Sequence, residues 1–202
     1  MKNQNLLEAF EQKRPDAKLA WYCEPANWSI RHSNLIIKPD AKTDFWQKTH
    51  YGFSADNGHC LFAEMKGNFV LSTKLRFQPV NQYDQAGLMV RVSPDCWLKT
   101  SVEFEPDSPN MLGAVVTNYG YSDWSTQQYP DDCTDLLLRI TRKANDYIVE
   151  FKKSEPEQWS QIRLAHLHAA GDPQPVKCGL YACCPIDAGY VVEFEYLKIE
   201  NE

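Results

Sequence analysis

The sequence predicts an all-β fold, a two-sheet antiparallel jelly-roll sandwich preceded by a short N-terminal helix. Three observations predict it. About eleven short apolar and aromatic runs follow one another, separated by Gly, Pro, Asn and Asp. Beyond the first dozen residues no segment carries the 3.6-residue apolar spacing of a helix. Aromatic residues are plentiful, with six Trp, ten Tyr and nine Phe among 202 residues, and such rings suit pleated surfaces.

The elements follow in chain order. Leu6, Leu7 and Phe10 have helical spacing before Pro15, so residues 1–20 are expected to form a helical extension. Residues 21–202 are expected to form one sandwich domain, because all-β units of this length commonly fold as a single body. Strands are expected at 28–30, 35–38, 60–64, 69–77, 86–93 and 97–105, and then at 111–118, 136–143, 147–152, 176–183 and 190–199. Between them Asp56-Asn57-Gly58, Lys66-Gly67-Asn68, Ser93-Pro94-Asp95, Asn118-Tyr119-Gly120 and Ala144-Asn145-Asp146 have turn composition.

Alternation assigns faces. Leu88, Val90 and Val92 share one side of their strand, and Gly87, Met89 and Arg91 share the other. Leu98, Val102 and Phe104 likewise oppose Trp97, Lys99, Ser101 and Glu103, while Leu136, Leu138 and Ile140 oppose Leu137, Arg139 and Thr141. One face of each strand is oily enough to form an inter-sheet core. A hairpin across Pro94-Asp95 would set Arg91 beside Trp97 on the outer face, with Lys99 and Glu103 continuing the row.

Charge and composition exclude several functions. The net charge is -6 with no Lys/Arg cluster, which argues against nucleic acid and against an anionic membrane as partner. No apolar run approaches the roughly 20 residues that span a bilayer. The N-terminal sequence has no signal-peptide pattern, so a cytoplasmic address is expected. Seven scattered cysteines without a Cys-x-x-Cys pair are then expected to be reduced. No cofactor is expected. Asp131, Asp132 and Asp135 offer only a weak Ca²⁺ candidate, since their spacing fits no EF-hand loop. His166 and His168 could share a strand face, but their segment suits a surface strand or loop better than a metal site.

Two stretches resemble a known family. One is Tyr83-Asp84-Gln85-Ala86-Gly87-Leu88-Met89-Val90-Arg91-Val92 with the following Trp97-Leu98-Lys99-Thr100-Ser101-Val102-Glu103. The other is Val115-Val116-Thr117-Asn118-Tyr119-Gly120-Tyr121-Ser122-Asp123-Trp124-Ser125, with supporting pieces at Thr43-Asp44-Phe45-Trp46, Thr49-His50-Tyr51-Gly52-Phe53 and Leu138-Arg139-Ile140-Thr141-Arg142. Together they resemble the family of domain of unknown function 1349 over residues 21–199, nearly the whole chain. The resemblance implies a concanavalin A-like lectin/glucanase jelly roll, of a kind also found attached to glycoside hydrolases. The resemblance also implies, as an alternative, a role as a regulatory protein-interaction module linked to enolase.

Sugar sites on such folds need rings for C–H stacking and polar groups for hydroxyls. Trp46, His50, Tyr83, Asp84, Arg91, Trp97, Lys99, Glu103, Thr117, Asp123 and Trp124 supply both on the concave sheet face. The expected function is therefore non-catalytic binding of a carbohydrate or small sugar-like metabolite. Trp97 and Trp124 would stack, Arg91 and Lys99 would donate, and Glu103 and Asp84 would accept. An ordinary ion-pair ladder through Arg91, Lys99 and Glu103 is the competing structural reading. Hydrolysis is a weaker alternative. Glu103 and Glu105 alternate on one strand, with Cα atoms about 6.6–6.8 Å apart, which is compatible with a carboxylate pair. Glu103-Phe104-Glu105-Pro106-Asp107 only partly matches the acidic runs of retaining glucanases of this fold.

Overall fold

The computed structural model describes residues 5–171 and 174–202. The first strands are β1 (Leu6–Glu8), β2 (Ala20–Tyr22), β3 (Asn27–Arg31), β4 (Asn34–Lys38), β5 (Phe45–Gln47) and β6 (Ser54–Asp56). Longer strands follow: β7 (His59–Met65), β8 (Phe69–Gln78), β9 (Gln85–Ser93), β10 (Cys96–Glu103) and β11 (Asn110–Asn118). The chain continues through β12 (Tyr121–Tyr129), β13 (Asp135–Lys143), β14 (Asp146–Lys152) and β15 (Ser160–His166). It closes with β16 (Val176–Cys183) and β17 (Val191–Asn201).

Two large antiparallel sheets make the sandwich. One runs β15-β14-β13-β8-β17-β4-β3, with β1 also pairing β17; the other runs β12-β11-β10-β9-β16-β7-β2. Their facing sides build the main core by the alternation seen in the sequence. Leu71, Leu75, Leu138, Ile140 and Phe194 of the first sheet meet Leu88, Val90, Leu98, Leu112 and Leu180 of the second. The hairpin across Pro94-Asp95 forms as expected, and Trp97 pairs with Arg91.

Over the described residues 5–20 the expected N-terminal helix is not formed, and residues 1–4 of that expectation lie outside the described residues. Leu6, Leu7 and Glu8 instead pair with Ile199, Lys198 and Leu197 of β17. Leu6 and Phe10 are four residues apart, a spacing that fits either period. Leu7 decides between them: it is 65% exposed while Leu6, Glu8 and Phe10 point inward, which is the period of a strand. A helix this short has little stability of its own, whereas β17 offers backbone partners. The Glu8 carboxylate fixes the exit by accepting the Phe10 and Asp16 N–H groups at 2.6 and 2.5 Å.

All seven cysteines are free. No helix among the described residues is long and apolar enough to cross a membrane.

Candidate functional site

The outer face of the second sheet is not simply solvated. The small β5–β6 hairpin folds over it and buries a second core of Phe45, Trp46, Phe62, Met89, Trp97 and Tyr181. Met89 and Trp97 thus cover the hairpin from below, while Leu88 and Leu98 on the same strands serve the main core.

Three polar latches hold the hairpin down. Arg91 grips Asp56 of β6 with two 2.7 Å hydrogen bonds and lies over the Tyr22 ring at 4.7 Å. The Lys99 ammonium donates to Asp44 Oδ1 at 3.2 Å and to Gln85 Oε1 at 2.8 Å. The Gln47 N–H donates to Ser122 Oγ at 2.9 Å, and that hydroxyl shares a 2.8 Å bond with Thr117. These bonds are charge-assisted or buried, where geometry counts most.

The latches reassign several of the residues picked out in the sequence. Trp97 has no exposed surface, and its indole N–H donates to the Pro94 carbonyl at 3.1 Å. Arg91 and Thr117 fasten the hairpin and do not line the cavity beside it. Asp84 is buried in the turn before β9, where its Oδ2 accepts the Val80 and Asn81 N–H groups at 2.8 Å each. The ion-pair ladder also takes another form, since Arg91 and Lys99 pair with the hairpin and not with Glu103.

Beside the latches the hairpin leaves a cavity of about 340 Å³. Trp46, Tyr51, Phe53, Tyr83 and Trp124 contribute rings to its lining, and Asp44, Gln85, Lys99, Glu103 and Glu105 contribute polar groups. Local backbone places these rings. Gly52 turns the hairpin loop with φ of 70° between Tyr51 and Phe53, and Tyr83 is itself held at φ 70°. Gly113 leaves room for Trp124, whose Nε1 lies 2.9 Å from where a Cβ would stand. A bulky non-Gly residue at positive φ is a stored strain that clusters at binding sites.

His50 and Asp123 sit outside this cavity, on a wider groove of about 760 Å³ that Trp46, Tyr51 and Trp124 also line. Asp123 pairs with Arg163 at 3.0 Å. The remaining candidates lie elsewhere. Asp131 accepts the Asn110 N–H at 3.1 Å and Asp135 pairs with Arg76 at 3.1 Å. The His166 and His168 rings bond Asp146 and Asn118, at 2.7 and 2.8 Å. Among the described residues no group of three or more His, Cys, Asp or Glu side chains is arranged to hold a metal ion.

Sequence reasoning did not pick out Asp44, Tyr51, Phe53 and Gln85 as site residues. Three of them stand in the family-like pieces around residues 43–53, and a glycine between two aromatics was the signal available there.

Glu103 accepts Gln85 Nε2 at 3.0 Å, and Glu105 accepts Gln82 Nε2 at 2.8 Å. Burial pushes the Glu103 carboxyl up to about 8, against the opposing pull of Lys99. The sign for stability follows. An unfolded Glu loses its proton near 4.5, while the folded one keeps it to about 8. Unfolding between those values releases a proton, so this group makes stability fall as pH rises. Glu103→Gln removes that titration. Its melting temperature is expected to fall less than that of the native protein between about pH 5 and pH 8; equal slopes would contradict the assignment.

Compared with known proteins, residues 21–202 match the family described as "Protein of unknown function (DUF1349)". The Saccharomyces cerevisiae protein named Regulation of enolase protein 1 is 34% identical over 178 residues, covering 86% of this chain and 85% of that protein. The crystal structure of a functionally unknown protein from Saccharomyces cerevisiae is similar with a TM-score of 0.84 and 31% identity, over 92% of this chain and 97% of that one. A xylan β-1,4-xylosidase from Bacillus halodurans gives a TM-score of 0.75 at 14% identity, over 96% of this chain and 39% of the enzyme. At that identity the likeness is one of fold, the concanavalin A-like sandwich.

Proposed function

This chain belongs to the DUF1349 family of unknown function, and from that premise we propose that it is a non-catalytic binding domain for a carbohydrate or small sugar-like metabolite. The ligand occupies the cavity beneath the β5–β6 hairpin. One observation carries the reading: aromatic rings and hydrogen-bonding side chains line the same partly enclosed space of about 340 Å³. That volume falls within the roughly 300–1,000 Å³ of small-molecule sites. Rings stack on the C–H faces of a sugar, and amide and carboxylate groups take its hydroxyls. Trp46 and Trp124 are the stacking candidates, with Gln85, Lys99, Glu103 and Glu105 as polar partners.

A second reading rests on the raised Glu103 carboxyl. A carboxyl that keeps its proton at neutral pH is what glycoside hydrolysis asks of its general acid, with a second carboxylate nearby. Glu105 would be that partner. A third rests on the name of the yeast relative, under which the domain would act on an enolase.

The test is a titration of the protein with a panel of pentoses and hexoses, followed by NMR of the indole N–H groups. Saturable shifts are expected at Trp46 and Trp124, and Trp124→Ala is expected to weaken binding about three- to tenfold, the effect of losing one stacked ring. Release of a leaving group from aryl glycosides, lost in Glu103→Gln, would move the assignment to hydrolysis. Unchanged spectra across the sugars, with stoichiometric capture of added enolase, would move it to the protein partner.

A further inference from the structure

The charge lining the cavity has a sign that the sequence did not predict. Arg91 and Lys99 were expected to donate hydrogen bonds to the ligand. Arg91 is spent on Asp56 and is not part of the lining. Lys99 is 3% exposed and bonded to Asp44 and Gln85. Asp44 and Lys99 therefore cancel, and the cation in the described lining is already engaged. Glu103 and Glu105 remain, each held by a single neutral amide. An anion entering here meets two carboxyl groups and no free cation among the described lining residues.

The rings favour the same sign. The faces of Trp, Tyr and Phe are electron-rich and attract an organic cation within about 6 Å of the centroid. Trp46 and Tyr51 pack with centroids 5.4 Å apart, and Tyr51 and Phe53 at 6.3 Å. Tyr83 and Trp124 line the same space. The acidic pair is thus set in a ring-lined, partly enclosed volume, which is a different object from an acidic patch on a surface.

We propose that the cavity selects a ligand bearing an ammonium group, such as an amino sugar, with the cation among the rings of Trp46, Tyr51, Phe53, Tyr83 and Trp124 and against Glu103 and Glu105. This rests on the binding reading above and names the chemistry of its ligand. Binding is coupled to pH through Glu103. Facing Glu103 are Lys99 on its own strand, Asp44 before β5, Glu105 after β10, Tyr83 before β9 and Tyr181 and Cys183 on β16. A bound cation favours the ionised carboxylate, so it expels the proton that burial retains. Affinity for a cation of fixed charge therefore rises as pH approaches the Glu103 value of about 8 from below.

The experiment is calorimetric titration of the full chain with choline and with its neutral carbon isostere, 3,3-dimethyl-1-butanol. Glucosamine and glucose form a second charged and neutral pair. Choline carries a charge that does not titrate, so any pH dependence belongs to the protein. Choline is expected to bind roughly tenfold more tightly than the isostere, the size of a partly desolvated cation–π contact with a carboxylate behind it. That ratio is expected to grow between about pH 6 and pH 8, and to shrink toward one in a Glu103→Gln, Glu105→Gln variant. Should that variant fail to fold, the pH dependence of the native protein still decides. Equal affinity for choline and its isostere overturns the cation inference, and saturable glucose binding alongside it leaves the carbohydrate reading intact. Choline binding with no response to any sugar does the reverse. Silence from every probe overturns both.

Discussion

Trp97→Ala is expected to destabilise the protein by roughly 3–5 kcal/mol, the cost of removing a fully buried large aromatic. Trp97 has no exposed surface. It stands edge-on to Phe45, with centroids 6.1 Å apart and planes at 62°, so the deletion opens a void between the sheet and the hairpin. The substitution also removes the indole N–H that donates to the Pro94 carbonyl. Trp97→Phe keeps most of the volume and should lose distinctly less. Urea unfolding measures both. A loss under about 1 kcal/mol for the alanine variant would mean that the hairpin does not rest on this ring as described.

Asp56→Ala is expected to cost roughly 3 kcal/mol, at the lower end for breaking a buried ion pair because Asp56 keeps some contact with water. The Arg91 guanidinium has 7% of its side-chain surface exposed and Asp56 has 24%. Without the carboxylate, a buried charge is left over the Tyr22 and Phe45 rings, at 4.7 and 5.9 Å. The Tyr22 hydroxyl, which donates to Asp56 Oδ2 at 3.0 Å and to the Asp56 carbonyl at 2.8 Å, loses one of these acceptors. A companion Arg91→Met, Asp56→Ala variant removes the stranded charge and should regain much of the loss. Equal unfolding midpoints for Asp56→Ala and the native protein would remove this latch from the description.

Both predictions concern one tertiary contact, and that contact marks the limit of what the sequence discloses. Alternation read every long strand with an oily face: Leu88-x-Val90, Leu98 with Val102, and Leu136-x-Leu138-x-Ile140 all point into the main core. It missed β12 and β15, which lie at sheet edges; the Tyr-Ser-Asp-Trp-Ser-Thr-Gln-Gln-Tyr of β12 has no apolar alternation. It also missed β1, β2, β5 and β6, at three residues each too short to show a period. That Trp97, Lys99 and Glu103 share one face of β10 was legible.

What no period encodes is that residues 45–56 fold back onto residues 85–124. That contact turns Arg91, Trp97 and Thr117 from expected ligand groups into the means of holding the hairpin. It also leaves Trp46, Tyr83, Lys99, Glu103 and Trp124 around a smaller, partly enclosed space. Helical spacing misled at the other end of the chain for a related reason. Leu6 and Phe10 face the same side in either conformation, and only pairing with β17 settles which one forms.

The most direct test of the cavity as a binding site is the indole N–H titration. The six tryptophans divide by position: Trp46 and Trp124 line the cavity, Trp97 lies beneath the hairpin, and Trp21, Trp28 and Trp159 lie elsewhere. Saturable movement of the Trp46 and Trp124 signals on adding a sugar, weakened in Glu103→Gln, which lines the cavity and not the wider groove, with Trp21, Trp28 and Trp159 still, is the expected result. Unmoved Trp46 and Trp124 signals across the panel, or movement centred on Trp21 and Trp28, would contradict a binding site under the hairpin.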